Sequence, residues 1–209
     1  MGKEPQWDTL EEGIARLSKK VENSYTGTVQ FYSAGQVKTS LPPGAYQLRV
    51  FKGIEYEAQT RKLQIRSNET TELKVEMTRW VNMPEQGWFG ADDHLHIARP
   101  VEGLNPFISK IMQAGDIHVA NLLQMGFYRH NITLQYAHGP GSLYQEGHYI
   151  LATGQENPRT HFLGHTITLG ARSAINFPEN YVIYRLFWEE AQRQGALSGY
   201  AHYGNDLVD

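Results

Sequence analysis

The hydrophobic period changes along this chain, and that change constrains the fold more than any single residue does. From Thr26 to Thr78 the period is two: Tyr46, Leu48 and Val50 alternate with Gln47 and Arg49, and Leu73, Val75 and Met77 alternate with Glu72, Lys74 and Glu76. Successive strand side chains point to opposite faces, so this alternation marks half-buried strands. Pro42-Pro43-Gly44 and Ser67-Asn68 supply turn residues between them. Strands near 26–32, 45–51, 56–66 and 70–78 are predicted, in an antiparallel sheet or small sandwich. Ahead of them Trp7, Leu10, Ile14, Leu17 and Val21 recur at steps of three and four, which predicts an amphipathic helix over 7–21 that docks by its apolar stripe.

Pro84 and Gly87, between Trp80 and Trp88, mark a junction. Beyond it we read a strand at 91–97, a helix near 104–114, a strand at 117–124, strands near 148–153 and 165–169, a helix from Glu179 to Gln194, and a strand at 197–203. Strand–helix–strand succession implies a mainly parallel sheet covered by helices. The expected organisation is therefore an N-terminal amphipathic helix (1–23), a small antiparallel β-sandwich (24–80) and a third domain (81–209). As a fold class this is α/β with an all-β N-terminal part.

Composition removes several functions. Nineteen basic residues against twenty-two acidic ones leave a net charge of −3, too balanced for a nucleic-acid or anionic-membrane surface. The chain has no cysteine, which excludes disulfides, thiolate ligands and a cysteine nucleophile and leaves His, Asp and Glu as the strong metal ligands. No apolar run reaches the roughly 20 residues of a membrane span, and the N-terminus carries no signal-peptide core. The chain reads as soluble, with its compartment open.

All nine histidines follow residue 93, in the half of the chain where acidic residues outnumber basic ones. That combination suits cations. His94 and His96, two apart on a predicted strand, project from one face together with Asp92, so two ring nitrogens can approach one cation. An isolated His-x-His is more often an exposed polar strand edge; here further His and acidic residues fall at other strand ends. His130, His138 and His161 are more simply solvated or hydrogen-bonded histidines. His148, which begins the strand leading to Glu156, is the best extra candidate in that region. Arg159 could bind an anionic group of a small-molecule substrate or form a surface ion pair.

Several elements together resemble the CehA/McbA-type metallohydrolases, a branch of the PHP (polymerase and histidinol phosphatase) superfamily. They are the KGIEYEAQTRKLQI run, the Arg79-Trp80 and Gly87-Trp88 junction, the Asp-x-His-x-His element at 92–96, Gly164-His165, and the stretch from Gln194-Gly195-Ala196 to Ala201-His202. The resemblance implies a PHP-type β/α barrel after the sandwich, holding two or three divalent ions such as Zn, Mn or Fe. It implies His94, His96, Glu156, His165 and His202 as metal ligands, with Glu156 bridging and with Glu156 and His202 in catalytic roles. Asp92 would orient a ring nitrogen or bind directly. His118 stands near the family's Thr-Asp-His element, either as a substitute ligand or as a hydrogen-bonded core histidine.

The family's late Asp-x-His pair is absent before Asp209, and the 123 residues from Gly87 onward fall short of the roughly 200 that a closed barrel takes. A partial barrel is expected, with exposed sheet edges that, like the N-terminal helix, invite self-association. The implied activity is divalent-metal-dependent hydrolysis of a phosphoester, ester, amide or carbamate by activated water. Two alternatives stand beside it: an inert metal-binding or interaction module whose sandwich does the recognition, and a structural sandwich with a disordered partial barrel.

Overall fold

The computed structural model of the chain describes residues 31–33 and 35–202, with the backbone of short strands at 14–15, 22–23 and 28–29. The chain divides into two compact units, residues 1–89 with 110–117, and residues 90–109 with 118–209. Among the described residues no helix is long and apolar enough to cross a membrane.

In the first unit, pairing is local. β1 (Ile14–Ala15) pairs with β4 (Tyr32–Ser33), β2 (Glu22–Asn23) with β3 (Thr28–Val29), and β5 (Gly44–Val50) with β6 (Gln59–Ile65), each antiparallel. β5 and β6 expose every second residue, as their alternation requires. The helix expected over 7–21 lies outside the described residues except at 14–15, which are strand. The strand expected over 70–78 is absent. Val75 and Met77 are half-buried, yet among the described residues the segment meets a strand-like partner only at an isolated bridge between Tyr56 and Arg79. Arg79 closes this unit's polar network: its Nε lies 3.2 Å from Glu55 Oε2, Nη2 pairs with Asp116, and the guanidinium sits 4.8 Å above the Tyr56 ring.

The second unit is one seven-stranded mixed sheet, with a main path β13-β12-β11-β8-β7. Its strands are β7 (Ala91–Leu95), β8 (Val119–Phe127), β9 (His130–Ile132), β10 (Tyr144–Glu146), β11 (Tyr149–Thr160), β12 (Gly164–Leu169) and β13 (Leu197–His202). β7, β8 and β11 are parallel; β9, β10, β12 and β13 are antiparallel to their neighbours. The described residues contain two α-helices, α1 (Asn105–Gly115) and α2 (Tyr184–Arg193).

This corrects the expected fold class. The described chain is mostly β, a curled mixed sheet with local hairpins, and neither a sandwich followed by a partial PHP-type β/α barrel nor a mainly parallel α/β sheet. Connection length is the physical reason. Only β7–α1–β8 is a crossover with a helix. β8 turns into β9 through Tyr128-Arg129, with Tyr128 at φ 48°, and β11 turns into β12 through residues 161–163, with Gly164 at φ 82°. Links of two or three residues can join only antiparallel strands.

The two sheet faces differ. Ala120, Leu122, Gln124, Leu151, Thr153 and Gln155 share one face and are all buried. On α1, Ile108, Ile111 and Met112 are buried at helical spacing. Phe187 and Ala191 of α2 pack with Ala171, Ile175 and Tyr181. The other face carries Glu156 and Met125 in register. The sheet curls about this face: four interstrand steps separate β7 from β13, about 19 Å in a flat sheet, but the rings of His94 and His202 on those strands are 6.4 Å apart.

Candidate metal centre

Strand register assembles the site. Leu95 pairs with Leu122 on the buried face, so His94 and His96 on either side of it turn to the opposite face, where Glu156 also points. Arg159 pairs with His165, and His165 with His202, which adds two imidazoles from β12 and β13 at the same end of the sheet. This is the C-terminal end of the three parallel strands, where ligand-binding groups collect in parallel sheets.

Glu156 is the centre, with its side chain 1% exposed. Its Oε1 is 2.6 Å from His165 Nδ1, 3.7 Å from His94 Nε2 and 3.7 Å from His202 Nε2. Its Oε2 is 3.1 Å from His96 Nε2 and 3.0 Å from Arg159 Nε. Although two nitrogens stand this close, Oε2 receives no aligned hydrogen bond and is a buried orphan acceptor. Burial lowers the pKa of His96 and of His165 below the usual imidazole value, against the pull of the Glu156 carboxylate on each. Both rings are therefore neutral near pH 7, the state a metal ligand needs.

Two overlapping groups could hold a metal ion: His94, His96 and Glu156, and Glu156, His165 and His202, the ligand atoms of each lying within 4.8 Å of one another. The donor set fits. His94 Nε2 and His96 Nε2 are 3.1 Å apart, close to the roughly 3.3 Å edge of a tetrahedron with bonds of about 2.0 Å to nitrogen. Glu156 supplies the third ligand atom, its Oε2 3.1 Å from His96 Nε2 and its Oε1 3.7 Å from His94 Nε2.

Supporting contacts set these positions. Asp92 Oδ1 accepts the His94 backbone N–H at 3.0 Å, so Asp92 braces the strand and not a ring nitrogen. Tyr181 Oη donates to Gly126 O at 2.9 Å and accepts from Arg159 N at 2.9 Å, which ties the end of β8 to β11. Tyr184 Oη donates to Gly164 O at 2.6 Å and accepts from Thr160 N at 3.1 Å, which closes the turn before His165. The sequence shows both tyrosines only as part of an apolar helix; nothing in it marks their hydroxyls as braces.

The structure gathers His94, His96, Glu156, His165, His202 and Arg159, and leaves two named candidates elsewhere. His118 precedes β8 and stacks on Tyr149, with ring centroids 5.0 Å apart. His148 precedes β11 and is exposed. Seven residues separate His118 from Met125 and eight separate His148 from Glu156, about 23 and 26 Å of strand, so both lie at the opposite end of the sheet. The chain matches no protein-family model, no curated protein and no solved structure.

Proposed function

We propose that this chain is a divalent-metal-dependent hydrolase, the activity that the CehA/McbA resemblance implies, acting on a phosphoester, ester, amide or carbamate of a small molecule. The observation that carries the reading is one carboxylate, 1% exposed, standing among four imidazoles with one of its oxygens lacking a hydrogen bond. His94, His96 and Glu156 would hold one ion, and His165 and His202 with Glu156 a second. A divalent cation there supplies a Lewis acid that polarises a phosphoryl or carbonyl oxygen and makes water a competent nucleophile near neutral pH.

The chain's own groups account for the rest. Glu156 lowers the positive charge of the centre. His202, the most exposed of the four imidazoles at 44%, is the ligand that substrate and solvent reach most readily. Arg159 is held by Tyr181 at its backbone and offers a guanidinium to an anionic substrate group.

A second reading is favoured by Arg159 itself. Its guanidinium already neutralises Glu156, as suits a binding module without turnover. Metal per chain and turnover of aryl phosphates, esters and carbamates with Mn²⁺ or Zn²⁺ separate the two. Hydrolysis that needs the metal and is lost in Glu156→Gln supports the enzyme; bound metal without turnover of any substrate supports the module.

A further inference from the structure

Behind the sheet, on the face away from Glu156, a positive charge is buried without a negative one. Arg99 heads the fully buried side chains by volume, at 0% exposure. Its Nε donates to Gln135 Oε1 at 3.3 Å, Nη1 to Asn105 Oδ1 at 3.0 Å and Nη2 to Thr153 Oγ1 at 2.7 Å. The Tyr136 ring lies 4.8 Å from the guanidinium carbon. Every one of these partners is neutral. Arg79, Arg129, Arg159, Arg185 and Arg193 each lie against a carboxylate; among the described residues Arg99, more deeply buried than any of them, does not.

An arginine cannot discharge by losing its proton, and an isolated buried charge is strongly unfavourable. The three bonds above use three of its five N–H groups. Two residues beyond Tyr136, His138 has its pKa lowered by burial and by the nearby Arg99 charge, and both its ring nitrogens are buried with neither hydrogen-bonded among the described residues. Whichever nitrogen carries the proton is then a donor without an acceptor.

We propose that Arg99 and His138 form a buried binding site for a small monovalent anion, of the size of chloride or formate. Such an anion supplies acceptors to the spare guanidinium N–H groups and to the imidazole N–H, and it balances the charge. The enclosure argues for a free ion over the end of a larger ligand: Asn105, Ser142 and Thr153 are 1%, 1% and 3% exposed. The site stands apart from the proposed metal centre, since Thr153 and Glu156 of β11 point to opposite faces.

Thermal unfolding of the full chain in sodium chloride, bromide and formate, each against sodium gluconate at equal ionic strength, tests this. Gluconate is too bulky for an enclosed site. A saturating rise in Tm of about 5 °C is expected in at least one small anion, lost in Arg99→Gln and weakened at least tenfold in apparent affinity in His138→Phe. The halide and formate arms decide whether the natural occupant is a halide or a carboxylate. If Arg99→Gln does not fold, His138→Phe keeps the charge and still reports the site. Crystals soaked in bromide should show an anomalous peak in contact with Arg99 and His138. Equal Tm in all four salts, with no bromide beside Arg99, overturns the proposal.

Discussion

His94 and His96 turn their Nε2 atoms toward each other at 3.1 Å, and both atoms face the buried carboxylate of Glu156. Two imidazoles at that distance can hydrogen-bond to one another or grip one cation between them. The second arrangement uses the orphan Oε2 as well, which the first leaves unsatisfied. His94→Ala and His96→Ala should each weaken Zn²⁺ or Mn²⁺ binding by more than about a hundredfold, beyond what loss of a supporting contact costs. Metal per chain by elemental analysis, and competition against a chelating dye, read this out. Equal metal content in wild type and both variants would falsify the metal centre.

Arg159 sets a fixed positive charge 3.0 Å from the same carboxylate. Like charges repel, so the guanidinium opposes a cation in the site while attracting an anionic substrate. Arg159→Gln should bind the divalent ion about tenfold more tightly and raise KM for an aryl phosphate about tenfold, with KM for a neutral aryl ester unchanged. Weaker metal binding in this variant would show that Arg159 acts by holding Glu156 in place and not through its charge.

The parts of this structure that local pattern decides were readable in advance. Tyr46, Leu48 and Val50 announced β5, the helix expected near 104–114 is α1, and the two-residue spacing of His94 and His96 placed both rings on one face. Strand direction was not readable from succession, because it depends on connection length: residues 161–163 are too short a link for parallel pairing, whatever the flanking strands look like. Leu73, Val75 and Met77 alternate as a strand would but find no partner strand among the described residues, and alternation does not create one. His118 and His148 share the composition of the site and miss it by the length of a strand. Arg99 carries no local signal, since its burial depends on Gln135 and Thr153, distant in sequence.

Burial pushes the phenol of Tyr181, 2% exposed, up to about 12. Above the ordinary value of about 10 the unfolded chain releases a proton that the folded chain retains, so this group's contribution is intact below pH 10 and falls as pH rises toward 12. The full loss is about 3 kcal/mol. Tyr181→Phe removes the bonds to Gly126 O and Arg159 N, at roughly 1 kcal/mol each, and also removes the titration. Urea unfolding should therefore show the variant less stable than wild type at pH 8, with the gap narrowing or reversing by pH 11.5. A gap that stays constant with pH would mean the phenol titrates alike in both states.

Gly154 lies two residues before Glu156 on the same strand, and there the neighbouring side chains close over the backbone. A Cβ at this position would lie 2.5 Å from Leu123 Cδ2, 2.9 Å from Leu169 Cδ2 and 3.0 Å from Thr168 O. The two leucines come from β8 and β12 on either side of β11; half-buried Leu169 has room to turn aside, whereas Leu123 is fully buried and Thr168 O is backbone, so these two contacts set the cost. Gly154→Ala should destabilise the fold by about 1–3 kcal/mol through overpacking and weaken metal binding by displacing Glu156 relative to its histidines. Gly199→Ala on β13 is the control, since a Cβ there meets nothing within 4 Å; its stability should stay within about 0.5 kcal/mol of wild type. Urea unfolding of the metal-free proteins measures the first effect and dye competition the second. If Gly154→Ala loses stability but keeps wild-type metal affinity, the histidines and Glu156 are positioned independently of the packing beneath them.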